Sequence, residues 1–132
     1  MKLINKIKMS MSMKKLICKQ VGGNHYQSDY QPLEFILKYE LNFIQGSVIK
    51  YVIRHKNKNK EVDLLKALSL CETGIEYDLK PSMTNINEFD INSFCRANKC
   101  DNVEYSFAVK YVLKKDYQRA ADMINAILED EY

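Results

Sequence analysis

From residue 32 onward, apolar residues recur three and four positions apart, which predicts helices rather than strands. Pro32 opens PLEFILKYE, and a proline suits the first turn of a helix. Leu33, Ile36, Leu37 and Leu41 then share one face, so residues 32–40 read as a short helix. Asn42 is placed to cap the next helix, with Gln45 three positions on in a reciprocal pair. Ile44, Val48, Tyr51, Val52 and His55 follow at helical spacing and predict a helix over 43–56. A polar NKNK loop separates it from a third helix, 62–79. There Leu64, Ala67, Leu68, Cys71, Ile75 and Leu79 form the apolar side, and Pro81 closes the element. PSMTNINEFD reads as a turn-rich connector.

The second half repeats the pattern of the first. SVIKYVIR at 47–54 lines up with FAVKYVLK at 107–114, and DLLKA at 63–67 with DYQRA at 116–120. DNVE at 101–104 is another helix-start box. Further helices are therefore expected at 89–98, 102–115 and 116–130. The expected fold class is all-α: a small helical bundle of two pseudo-repeated three-helix units. One unit cannot bury its apolar face alone, so the two should pack as a pseudo-dimer. The expected organisation is a flexible basic leader (1–18), a first unit with a glycine–histidine–tyrosine loop (19–80) and a degenerate second unit (81–132), packed as one domain.

Composition narrows the function classes. The chain has 132 residues, 46% of them hydrophobic and 28% charged, which suits one globular domain. A net charge of +3 is too small a basic surplus to predict specific nucleic-acid binding. No apolar run approaches the roughly 20 residues of a membrane helix. The basic amphipathic N-terminus has no continuous apolar core, so a secretory signal is not expected. Cys18, Cys71, Cys95 and Cys100 fit no CxxC spacing and read as free, buried thiols of a protein in the cytoplasm.

The candidate chemistry has two parts. Gly46, Lys50 and Arg54 are spaced by four and share one helix face. Glycine within a helix is tolerated where a second helix or a ligand approaches closely, and the two cations beyond it can clamp an anion. A solvated basic face is the alternative. Upstream, GGNHYQ at 22–27 gathers two of the 4 glycines and one of the 2 histidines of the chain. Gly22 and Gly23 permit left-handed backbone and expose amides, Asn24 donates and accepts, His25 is a phosphate contact or acid–base group, and Tyr26 offers a stacking ring. The alternative is a tie between the N-terminal arm and the core. No GxxxxGK[ST] loop, HExxH motif or serine triad is present. Glu72 and Glu76 read as a solvated pair, and the two histidines make no metal site.

The run NHYQ…QPLEFI…NFIQGSVIKYVIRHKNKNKEVDLLKA resembles a phage-encoded family of nucleotide kinases acting on dTMP and dGMP, formerly classed as a domain of unknown function. The matches are Asn24, His25 and Tyr26; Glu34 and Ile36; Gly46, Lys50, Tyr51 and Arg54; and Asp63, Lys66 and Ala67. Ser47 stands where the family has asparagine, and the second unit has Ser106 and Lys114 in place of the glycine and arginine. The resemblance implies a nucleoside monophosphate kinase without a P-loop, using ATP as phosphoryl donor with Mg as a possible ion. His25, Lys50 and Arg54 are then catalytic. Gly23, Asn24, His25, Tyr26, Gly46, Lys50, Tyr51, Arg54, Asp63 and Lys66 bind the nucleotide. Asp63 caps its helix, orients a cation or holds a metal ion. The expected partners are a nucleotide and further copies of the chain, in the cytoplasm of a phage host. The alternative is a non-catalytic protein that sequesters a nucleotide signal of host defence.

Overall fold

The computed structural model describes residues 28–132, so the leader, Cys18 and the GGNHYQ loop lie outside the described residues. Every regular element among those described is helical: α1 (Pro32–Lys38), α2 (Phe43–Arg54), a 3-10 turn (His55–Asn57), α3 (Glu61–Tyr77), α4 (Glu88–Ala97), α5 (Val103–Leu113) and α6 (Tyr117–Glu131). The expected all-α helical bundle is the fold.

Local chemistry sets the ends. Asn42 accepts the Gln45 amide at 2.8 Å while the Gln45 side chain accepts the Asn42 amide at 3.1 Å, a reciprocal cap on α2. The α1 and α4 helices end alike. Glu40 (φ 51°) and Lys99 (φ 60°) take left-handed backbone, and the next amides, Leu41 and Cys100, reach back to the carbonyls of Ile36 and Cys95. Lys115 (φ 59°) performs the same turn after α5, with the Asp116 amide on the Tyr111 carbonyl.

Burial also runs in parallel along the two halves. Val48, Ile49, Val52 and Ile53 of α2 are buried, and so are Ala108, Val109, Val112 and Leu113 of α5. Leu64, Ala67 and Cys71 of α3 are matched by Tyr117, Ala120 and Ile124 of α6. Each third helix packs on its own second helix, α3 on α2 and α6 on α5; across the middle α2 meets α5 and α3 meets α6. Phe35 of α1 stacks on Phe94 of α4 with centroids 4.2 Å apart.

Two apolar stripes differ from expectation. In α1 the buried residues are Pro32 and Phe35, while Leu33 and Leu37 are exposed, because α1 is short and meets α4 through the Phe35–Phe94 stack. In α3 the stripe passes from Cys71 to Gly74 rather than to Ile75 and Leu79, which stay exposed. The cause is Tyr117: a Cβ built on Gly74 would lie 2.6 Å from its ring, so only glycine lets α3 and α6 close here.

Two carboxylates tie the halves together. Asp90 of α4 accepts from Tyr30 (3.0 Å), Lys38 (2.9 Å) and the Tyr39 hydroxyl. Asp78, after α3, accepts from Asn42 (2.9 Å), Lys115 (2.9 Å) and the Tyr117 hydroxyl. Burial pushes both acids up, but these donors outweigh it and hold them below the usual carboxylate range.

Candidate anion-binding site on α2 and α3

The stripe of α2 and the start of α3 bring three cations around one ring. Lys50 Nζ lies 4.6 Å from the Tyr51 ring centroid, Arg54 Cζ 4.8 Å and Lys66 Nζ 5.5 Å. Tyr51 is half-buried on the α2 surface, and its electron-rich face offsets part of the repulsion among the three charges. Neither Lys50 nor Lys66 has a carboxylate partner among the described residues.

Arg54 is held from beneath by Asp63, which is fully buried. The Arg54 Nε–H donates to Oδ2 at 3.2 Å and an Nη2–H to Oδ1 at 3.4 Å. The Asn59 backbone and side-chain amides supply two further donors to the same carboxylate, at 3.3 and 3.4 Å. Such a fork fixes the plane of a guanidinium. It also corrects one expectation for Asp63. The N-cap of α3 is Lys60, so Asp63 is the third residue of the helix and not its cap. Both its oxygens are engaged by Arg54 and Asn59, so the expected role that the geometry shows is the orienting of a cation. Among the described residues no cluster of His, Cys, Asp and Glu is arranged for a metal ion.

Gly46 meets a helix. A Cβ there would lie 3.3 Å from the Ile36 side chain of α1, so close packing of α1 on α2 accounts for this glycine. Gly46 still lines a shallow hollow of about 210 Å³ with Ile36, Leu41, Asn42, Phe43, Ser47 and Lys50. The structure thus places Lys50, Tyr51, Arg54, Asp63 and Lys66 together, with Gly46 one turn below Lys50. Gly23, Asn24, His25 and Tyr26 lie outside the described residues.

In the second unit the corresponding α5 lysine is neutralised. Lys110 bonds Glu88 at 2.6 Å over a hollow lined by Ile91, Asn92, Val103, Ser106 and Phe107.

One group of residues carried no expectation beyond the place of His55 on an apolar helix face. His55 is fully buried and bonds two tyrosine hydroxyls, Tyr105 at 2.7 Å through Nε2 and Tyr132 at 2.8 Å through Nδ1. The Tyr105 hydroxyl also donates to Glu131 at 3.1 Å, which Lys56 pairs at 3.2 Å. A histidine at an apolar helix position in a chain with 9 tyrosines was the available signal. Burial lowers its pKa to about 4, outweighing the nearby Glu131 carboxylate.

Residues 21–71 match the model of a family described as proteins of unknown function (DUF3310). No curated protein and no solved structure matches the chain. The match covers α1, α2 and most of the buried side of α3, and so includes the basic cluster. It corrects the resemblance drawn above: the matching family carries no assigned activity, and nothing in these comparisons indicates a nucleotide kinase. Two of the residues that carried the resemblance have physical reasons of their own, since Gly46 packs on Ile36 and Asp63 holds Arg54.

Proposed function

We propose that the α2–α3 face binds a phosphate-bearing small molecule, in the first instance a nucleotide. The observation that carries this reading is the gathering of Lys50, Arg54 and Lys66 within 4.6–5.5 Å of one tyrosine ring, with a buried carboxylate holding the arginine in place. Like charges so close are costly unless an anion joins them, and Asp63 offsets only one of the three. Lys50 and Lys66 offer point charges and Arg54 a planar fork, a combination that suits the oxygens of a phosphate. The neighbouring hollow beside Gly46 gives space for the rest of a ligand.

The test is calorimetric titration with deoxynucleoside monophosphates, ATP and inorganic phosphate. Binding should fall more than tenfold in Lys50→Ala, since a charge-assisted contact contributes roughly 1.5–3 kcal/mol, and should be unchanged in Lys110→Ala. Equal losses in both variants would reduce the face to a plain basic surface. Incubating the same nucleotides with ATP and Mg reads whether a bound nucleotide is also phosphorylated; diphosphate product would add turnover to binding.

Self-association belongs to the same reading. Leu33, Leu37 and Phe43 are 50, 58 and 81% exposed along the α1–α2 edge, an apolar strip suited to a second copy. Sedimentation at increasing concentration tests it, and a monomer at all concentrations would remove it. Among the described residues no helix is long and apolar enough to cross a membrane.

A further inference from the structure

We infer that Tyr132, acting through His55, positions the Arg54 guanidinium, and so sets the anion affinity of the α2–α3 face; the affinity clause rests on the proposed binding function. His55 directly follows Arg54 and is fixed from two sides. Its ring is bonded by Tyr105 of α5 and by Tyr132 just after α6. Its carbonyl accepts the amides of Lys60 (2.8 Å) and Lys58 (3.4 Å), closing the loop that returns the chain to α3. That loop carries Asn59, whose two amides bond Asp63, and Asp63 in turn holds Arg54. An unbroken set of bonds therefore runs from Tyr132 to the guanidinium.

The proton positions give the chain of bonds a direction. The Tyr105 hydroxyl has one proton, and Glu131 accepts it. With that proton engaged by Glu131, Nε2 of a neutral His55 donates to the Tyr105 oxygen and Nδ1 accepts from Tyr132, the assignment that pairs every one of these groups. The charged groups facing the ring are Glu131 from α6, Lys56 and Lys60 from the loop, and Asp63 from α3. With the imidazole neutral near pH 7, the Tyr132 hydroxyl supplies the donor that a buried Nδ1 needs. Without it Nδ1 is left unpaired in the core, and His55, whose carbonyl anchors the loop beneath Arg54, loses one of the ties that fix it.

The substitution that tests this is Tyr132→Phe, which keeps the ring and removes only the hydroxyl. Two readouts are needed. The first is the NMR signal of the Arg54 side-chain Nε–H, sharp and protected while Asp63 orders it; this requires no ligand. The second is the affinity for dAMP and for inorganic phosphate by calorimetry. The variant should broaden the Arg54 signal and weaken both ligands three- to tenfold, with far-UV circular dichroism unchanged and Lys110→Ala showing neither effect. An unaltered Arg54 signal overturns the inference, whatever the affinity. Loss of the folded state in Tyr132→Phe also overturns it, because the hydroxyl would then serve the fold as a whole. If the unsubstituted protein binds neither ligand, the binding function fails, and the Arg54 signal still decides whether Tyr132 positions the guanidinium.

Discussion

Asp63 shows how one buried side chain can join fold and site. It has no contact with solvent, and its charge is matched by Arg54, whose side chain is 13% exposed. Removing one partner of a buried pair leaves an uncompensated charge. Asp63→Ala should therefore destabilise the protein by about 3 kcal/mol, measured as a shift in the urea midpoint, and should also weaken phosphate binding. His55 makes a complementary prediction. Its pKa is about 4 when folded and 6.5 in its ordinary state, so between these values the unfolded chain takes up a proton that the folded chain does not. Stability should fall as pH drops from 6.5 to 4, by at most about 3 kcal/mol, and this contribution should be flat below that. Asp78 and Asp90, with lowered pKa values, keep their contribution down to the ordinary carboxylate range and lose it only at lower pH. Urea melts of His55→Asn across the range check the assignment: the loss between pH 6.5 and 4 should vanish while the acid limb remains.

At the scale of elements, the helices were legible because their signals are local. Pro32, the Asn42–Gln45 box and the alternation around Val48 and Val52 need no tertiary information, and the predicted helices fall within a few residues of those observed. Which face a helix buries was less legible where the partner decides. Leu33 and Leu37 looked like the core of α1, but the Phe35–Phe94 stack turns the helix the other way. Gly74, a glycine inside a helix as Gly46 is, could signal a close approach but not its partner, since the Tyr117 ring it accommodates lies in another helix. The basic cluster was legible along α2 through the spacing of Lys50 and Arg54. Its deeper part, Asn59 beneath Asp63, was not, because it depends on how the loop closes. The helix ends make a prediction of their own. Glu40 is exposed and holds φ at 51°, a region that disfavours any Cβ. Glu40→Gly should raise stability by about 1 kcal/mol, read as a higher thermal midpoint.

The two halves of the molecule share their core. The buried side of α3, from Leu64 through Cys71 to Gly74, is covered by α6, and Gln45 of α2 donates to the Val112 carbonyl at the end of α5, 3.1 Å away. Asp78 joins the start of α2 to the start of α6, and Asp90 joins α1 to α4. Neither half has a surface of its own that could remain closed if the other opened, and local opening free energies track such shared burial. The chain should therefore unfold in one step, with coincident urea transitions by circular dichroism and tyrosine fluorescence. The sharper expectation concerns Gly74→Ala. The added methyl would meet the Tyr117 ring at the α3–α6 contact, where overpacking costs about 1–3 kcal/mol. If the halves are one cooperative unit, this substitution should move both probes equally, including the far α1–α4 end reported by amide exchange at Phe35 and Phe94. Loss of protection confined to α3 and α6, with α1 and α4 unaffected, would show instead that the halves unfold separately and that the Phe35–Phe94 stack is a contact between independent units.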